Sequence, residues 1–127
     1  MSATLVNARS GQVLATAVAF AVSRASRRQG LLRRDRLAPS SGLLLTPCFA
    51  VHTAFMRFAI DVIFIDRAGA VTRVIRRLRP WRIAGSWRAH ATIELGAGAL
   101  GTRDVIVGDR LLLISGQPHP GLGSALW

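Results

Sequence analysis

Apolar residues fall in short runs along this chain, and turn-forming residues separate the runs. Each run is rich in valine, isoleucine, leucine and alanine, and glycine, proline, serine or aspartate follows it. Runs of this length and composition predict strands rather than long helices. The predicted strands are Thr4–Ala8, Gln12–Ala21, Leu43–Thr46, Phe58–Ile65, Val71–Leu78, Ala91–Leu95 and Arg110–Ser115.

One basic segment has a different pattern. Ser23 can cap a short helix over Arg24–Leu32, because its hydroxyl can accept a hydrogen bond from the first turn. Many short strands with one or two short helices predict a mostly β (α+β) fold, either a small barrel or a sandwich. The length of 127 residues predicts a single domain over residues 1–115, and the glycine and proline content of residues 116–127 predicts a flexible tail.

The strand Phe58–Ile65 is apolar almost throughout, which predicts burial on both of its faces. Asp61 interrupts it, and a buried carboxylate must be paired or hydrogen-bonded. Its partner can be a backbone N–H. It can also be Arg27 or Arg34, in which case Asp61 is a structural brace between helix and sheet. The other interpretation is a carboxylate that faces a ligand.

The next strand, Val71–Leu78, follows a hairpin over Asp66–Gly69. Alternation along it places Arg73 and Arg77 on one face and Thr72, Val74 and Leu78 on the other. The strand is therefore predicted to be half exposed.

Charge adds a candidate interaction surface. The net charge is +11, and all 17 basic residues are arginine, with lysine and tyrosine absent. A GC-rich genome explains that usage, but the positive field still attracts polyanions nonspecifically. Eight arginines lie between Arg57 and Arg88, interleaved with Trp81 and Trp87, so this face can either bind nucleic acid or be an ordinary solvated surface.

Polar groups around the apolar strand predict a binding site without a recognisable nucleophile. The candidate ligand-binding residues are His52, Met56, Arg57, Asp61, Trp81 and Glu94. They favour a non-catalytic accessory module for an unknown small molecule or protein. The alternative is a small hydrolase that uses His52 with Asp61 or Glu94, or pairs the two carboxyls as acid and base. Phe55, Met56 and Phe58 are predicted to be core.

Cys48 precedes His52 by four residues, a spacing that suits neighbours on one helix face. The pair can be metal ligands, or a nucleophile and its base. Metal sites with strong sequence signals use several Cys or His residues, and a single cysteine also excludes an internal disulfide. We therefore predict an apolar cysteine, no metal and no cofactor.

The apolar run Val13–Val22 can be read as a signal-peptide core. However, Arg9, Ser10, Gly11 and Gln12 directly before it resemble a hairpin turn. We predict a strand in a cytoplasmic protein, with export as the alternative. No run is long enough to span a bilayer.

Six motifs give the chain a family resemblance. They are Arg27-x-x-Gly30-Leu31-Leu32-x-Arg34, Gly42-Leu43-Leu44, His52-Thr53-x-Phe55-Met56-Arg57-Phe58-x-Ile60-Asp61-Val62-x-Phe64-x-Asp66, Pro80-Trp81-Arg82, Glu94-Leu95-x-Ala97-Gly98 and Gly108-Asp109. With them the chain resembles the bacterial and archaeal family called domain of unknown function 192. The resemblance implies a compact β-rich domain with little helix, and it implies no reaction. Ala59 and Leu32 depart from the pattern, where Pro and Met are expected.

Overall fold

The described part of the chain contains nine strands, arranged in two sheets. The computed structural model describes residues 2–21, 37–38, 40–101 and 103–115. The strands are Ser2–Asn7 (β1), Val13–Ala21 (β2), Ser41–Leu45 (β3), Ala50–His52 (β4), Ile60–Ile65 (β5), Val71–Leu78 (β6), Ile83–Gly85 (β7), Ala91–Gly96 (β8) and Leu111–Ser115 (β9).

The larger sheet has the strand order β6-β5-β8-β3-β2-β1-β9. Its neighbours are antiparallel except β2 and β3, which are parallel. The sheet curls until its two edge strands meet at one end, where Ala70 and Arg110 form an isolated bridge. Two flanking hydrogen bonds hold this closure, from Val71 N–H to the Asp109 carbonyl (2.8 Å) and from Leu111 N–H to the Gly69 carbonyl (2.9 Å).

The curl gives the sheet an inner and an outer face, and each has its own apolar core. The inner core draws on both edges of the sheet, from Val71 to Leu113, and includes Ile63 and Leu95. The outer core lies over the middle strands and under β4 and β7. It is formed by Ala21, Leu37, Leu43, Leu45, Val51, Met56, Ile60, Val62, Phe64 and Ala84.

The smaller sheet is a two-stranded ribbon of β4 and β7, with His52 opposite Ile83 and Val51 opposite Ala84. Alternation along the ribbon buries Val51 and Ala84 in the outer core. The same alternation turns His52 and Ile83 to solvent. The ribbon therefore forms a second layer on the outer face of the large sheet.

The β-rich prediction is confirmed, and the seven predicted strands are all present with shifts of one or two residues at their ends. The ribbon was missed because three-residue strands carry almost no periodic signal. The helix predicted over Arg24–Leu32 and the tail predicted over 116–127 lie outside the described residues, and the residues that are described contain no helix. None of the described residues forms a helix that could cross a membrane.

One predicted face was wrong. Val74 packs into the inner core and Leu78 into the outer core, although simple alternation placed them together. The register shifts between Ile60–Leu78 and Val62–Ile75, so β6 carries an extra residue there. A bulge of this kind reverses the side-chain alternation beyond it.

Candidate functional site

Asp61 is the polar residue that organises the bulge. Its side chain belongs to the inner face, like Ile63 and Ile65, and it is 1% exposed. One carboxylate oxygen accepts the N–H of Arg77 at 2.9 Å, and the other accepts the N–H of Leu100 at 3.0 Å. Asp61 therefore braces the bulge of β6 to the loop that follows β8.

The structure shows which groups bind the carboxylate of Asp61, a choice between backbone N–H and arginine that the sequence left open. Arg77 has a φ of 57°, a left-handed backbone conformation that a bulky residue rarely adopts. The hydrogen bond from its N–H to Asp61 stabilises that conformation. Asp61 therefore binds two main-chain N–H groups. Its other predicted partners, Arg27 and Arg34, lie outside the described residues.

Glu94 lies on the outer face, in the middle of an apolar row. Leu43 is its cross-strand neighbour on one side and Val62 on the other. The side chain is buried, and burial raises the pKa of the Glu94 carboxyl to about 7. A carboxyl with that pKa changes charge near neutral pH.

Asp61 and Glu94 are separated by the sheet itself. Val62 pairs with Glu94 and Asp61 pairs with Leu95, so the two carboxyls point to opposite faces. An acid–base dyad of Asp61 and Glu94 is therefore wrong. His52 is also separated from Asp61, because the ribbon covers the outer face and Asp61 points to the inner one.

Thr53, directly after β4, holds the loops at one end of the ribbon. It is fully buried. Its hydroxyl donates to the carbonyl of Arg79 at 2.6 Å and accepts the N–H of Arg82 at 2.8 Å. Its carbonyl accepts the N–H groups of Met56 (3.1 Å) and Trp81 (3.0 Å), so a single threonine fixes both loops.

The two loops present an exposed aromatic pair. The ring centroids of Phe55 and Trp81 lie 4.6 Å apart with an interplanar angle of 59°. Phe55 is 70% exposed and Trp81 60% exposed. Both have left-handed backbone conformations, with φ of 65° and 63°. The prediction that Phe55 is core is wrong, because its turn directs the ring outward, whereas Met56 is buried as predicted.

Further large apolar and aromatic side chains continue from this pair along the ribbon. They are Ile83 in β7, Trp87 in the turn after it and Phe49 before β4, all strongly exposed. Ser86 N–H donates to the carbonyl of Phe49 at 2.8 Å, so Phe49 and Trp87 belong to the same end of the ribbon. We call the surface formed by Phe49, His52, Phe55, Trp81, Ile83 and Trp87 the ribbon face.

Arginines lie beside the ribbon, where Arg73 donates to the carbonyl of Gly85 and Arg88 contacts the ring of Trp87. Both ion pairs found among the described residues belong to Arg9, which binds Asp104 and Asp109. Asp66 accepts the N–H groups of Ala68 and Ala70 with one oxygen. The arginines next to the ribbon strands and the adjoining loops form no ion pair with a described residue; they are Arg67, Arg73, Arg79, Arg82 and Arg88.

A shallow groove adjoins the Trp87 end of the ribbon face. Its volume is about 450 Å³, and it is lined by Asp66, Arg67, Ala68, Arg88, Ala89 and His90. The guanidinium of Arg88 lies 5.0 Å from the ring centroid of Trp87, a cation–π contact. The groove is therefore rich in cationic donors and is continuous with an exposed indole.

Asp109 explains the Gly-Asp motif near the end of the chain. Its carboxylate accepts hydrogen bonds from Asn7 Nδ2 (2.9 Å), Arg9 Nε (2.6 Å) and the N–H of Ile106 (3.0 Å). The Arg9 guanidinium lowers the pKa of Asp109 well below its usual range. The role of Asp109 is structural, because these bonds tie the end of β1 to the loop before β9.

The described residues offer no metal centre, since no three His, Cys, Asp or Glu side chains among them are grouped closely enough. The thiol of Cys48 donates to the carbonyl of Ala50 at 3.1 Å. His52 is exposed on the ribbon. Neither residue has the setting of a nucleophile with its base.

The sequence profile of the domain of unknown function 192, described as "Uncharacterized ACR", matches residues 5–113. The chain belongs to this family. The Asp61 brace and the Asp109 network now give structural roles to two of the residues that carried the resemblance. No curated protein matches the chain.

Two solved structures share the fold of this DUF192 domain. One is a "putative transcription regulator" from Sinorhizobium meliloti 1021, with 28% identity, a TM-score of 0.75, and coverage of 87% of this chain and 91% of that chain. The other is a protein of unknown function from Novosphingobium aromaticivorans, with 18% identity, a TM-score of 0.74, and coverage of 87% and 83%.

The candidate residues from the sequence divide into three groups. His52 and Trp81 lie on the ribbon face. Arg57 is exposed in the loop between β4 and β5. Met56 lies beneath that face in the outer core. Asp61 and Glu94 are buried in the large sheet. Sequence reasoning missed Thr53 and the exposure of Phe55, because their importance depends on backbone conformation and long-range hydrogen bonds.

Proposed function

We propose that this DUF192 domain is a non-catalytic binding module and that the ribbon face is its binding surface. The observation that carries the proposal is the pair of Phe55 and Trp81, two exposed aromatic rings whose strained backbones are fixed by Thr53. Exposed apolar clusters of this kind are found at interaction sites more often than on the rest of a protein surface.

The backbone strain strengthens the argument. A left-handed conformation costs roughly 1–2 kcal/mol for a residue with a side chain. Phe55 and Trp81 both adopt it, and they contact each other. Such strain persists only where surrounding contacts impose it, and it concentrates at binding and catalytic sites. Because neither ring is needed to fill a core, we infer that a ligand selects their positions.

The hydrolase alternative lacks the geometry it requires. Both oxygens of Asp61 already accept backbone N–H groups. His52 lies on the other side of the sheet, so it cannot take a proton to or from this carboxylate. Glu94 is buried in an apolar row beneath the ribbon layer, away from solvent where a substrate would arrive. We therefore favour binding over hydrolysis.

A second proposal concerns location. The predicted alternative of a signal core concerned Val13–Val22, and all of this run except its last residue forms β2, which pairs with both β1 and β3. Cleavage after it would remove two strands of the large sheet. This placement supports the proposal of a cytoplasmic domain that retains the segment.

The test of the binding proposal is complementation. The variant F55A/W81A removes both rings, and the matched control I106A/V107A removes exposed apolar side chains from another loop. We expect F55A/W81A to keep its circular dichroism spectrum and yet behave like a gene deletion in growth competition, while the control behaves like the wild type. A folded F55A/W81A protein that fully replaces the wild type would contradict the proposal.

A further inference from the structure

We infer that the ribbon face binds single-stranded nucleic acid, with bases stacked on its aromatic rings and phosphates held by the arginines beside it. This inference rests on the proposed function and adds the class of partner. It is supported by the spacing of the rings, the uncompensated charge next to them and the groove at one end.

The aromatic rings stand at both ends of the ribbon. Trp81 precedes β7 and Trp87 follows it, six positions apart, so extended chain between them spans up to about 20 Å. Ile83 lies between them on the solvent side and is 83% exposed. An exposed surface with rings at each end suits a flexible strand of unpaired bases better than a rigid duplex.

Charge complementarity identifies the partner as a polyanion. Arg79 and Arg82 flank the Trp81 end, and Arg73 donates to the carbonyl of Gly85 at 2.8 Å at the Trp87 end of β7. Arg88 covers one face of Trp87. None of these arginines forms an ion pair with a described carboxylate, so their guanidinium groups can bind phosphates.

The groove beside Trp87 lies at one end of the ribbon face. Its volume of about 450 Å³ suits a phosphate and its sugar, and its lining combines the guanidinium groups of Arg67 and Arg88 and the imidazole of His90 with the carboxylate of Asp66. Exposed aromatic rings with arginines beside them are the arrangement expected of a sequence-tolerant single-strand binder.

Fluorescence anisotropy of labelled strands tests the inference. The probes are oligo-dT and oligo-rU of about 12 nucleotides, a duplex of equal length, and poly-glutamate as a non-nucleic polyanion, at about 50 mM and about 200 mM salt. We expect both single strands to bind more tightly than the duplex. A difference between oligo-dT and oligo-rU assigns the preferred sugar.

The variants separate stacking from charge. We expect W81A and W87A each to weaken single-strand binding by about 5- to 150-fold, because each removes a stacking surface. The control V107A should bind like the wild type. Trp87 lies in an ordinary turn, so W87A keeps the test valid if W81A unfolds.

Three results would overturn the inference. Equal binding of duplex and single strands, unaffected by W81A and W87A, leaves only nonspecific attraction to polyanions. Binding of poly-glutamate alone, lost in W81A, assigns an acidic protein partner and leaves the proposed function intact. If none of the probes binds and F55A/W81A also complements fully, both the inference and the proposed function fail.

Discussion

Asp61 and Glu94 lie on adjacent strands and point to opposite faces of one sheet. Asp61 faces the inner core and is satisfied by the N–H groups of Arg77 and Leu100. Glu94 faces the outer core between Leu43 and Val62. One carboxylate stabilises the fold through hydrogen bonds, whereas the other is kept in a setting that disfavours its charge. The two therefore respond to mutation and to pH in different ways.

Replacement of Asp61 by asparagine should destabilise the domain. Asparagine offers one acceptor oxygen and places an NH₂ group where the second backbone N–H donates, so one charge-assisted bond becomes a donor–donor contact. We expect D61N to lower the free energy of unfolding by about 2–4 kcal/mol, measured by urea denaturation. The control D66N, in a half-exposed hairpin turn, should lose less. An unchanged stability of D61N would show that Asp61 is not a brace.

Glu94 should make stability depend on pH near neutrality. Its pKa is raised from 4.5 to about 7 in the folded state, so folding favours the protonated form. Its stabilising contribution is complete below pH 4.5 and is lost as pH rises to about 7. Because E94Q is neutral throughout, it should gain up to about 3 kcal/mol relative to the wild type between pH 5 and pH 8.

Urea denaturation at both pH values measures this difference between E94Q and the wild type. D66N provides the control, since it also removes one carboxylate but from a half-exposed turn. Its difference from the wild type should stay nearly constant. If the stability difference between E94Q and the wild type is also the same at both pH values, the charge of Glu94 is compensated within the fold and its pKa is not raised.

Replacement of Thr53 by valine should destabilise the two loops that its hydrogen bonds hold. T53V keeps the side-chain shape but removes the donor to the Arg79 carbonyl and the acceptor for the Arg82 N–H. We expect a loss of about 1–3 kcal/mol, because both backbone groups lose their partner. Loosening of the Trp81 loop should also weaken the near-ultraviolet circular dichroism of its indole. T16V, at an exposed position of β2, should change neither signal.

Asp109 should give the domain sensitivity to acid. Its pKa is lowered in the folded state, so its stabilisation is present above about pH 4 and is lost as the pH falls further. At neutral pH we expect D109N to be less stable by about 2 kcal/mol, through weaker bonds to Asn7, Arg9 and Ile106. Acid titration should bring wild type and variant together. D66N, at a carboxylate that forms no ion pair with Arg9, is the control, and a wild type that stays more stable at low pH would argue against this role.

The sequence by itself determined the β-rich class, seven of the nine strands and the burial of Asp61. These follow from local rules, since runs of apolar and β-branched residues form strands wherever the core lies. It also determined that the carboxylate needs partners, because an unpaired buried charge is too costly. The family resemblance followed from the same motifs and is confirmed over residues 5–113.

Only the tertiary structure decided which faces the side chains occupy and what they meet. The bulge opposite Asp61 moved Leu78 to the other face, which no alternation rule could show. The ribbon of β4 and β7 and the Thr53 bonds to residues more than twenty positions away arise from long-range hydrogen bonds. The exposure of Phe55 and Trp81 depends on left-handed backbones that leave no mark in composition. Local patterns fix strands, whereas a binding surface depends on which distant loops the fold brings together.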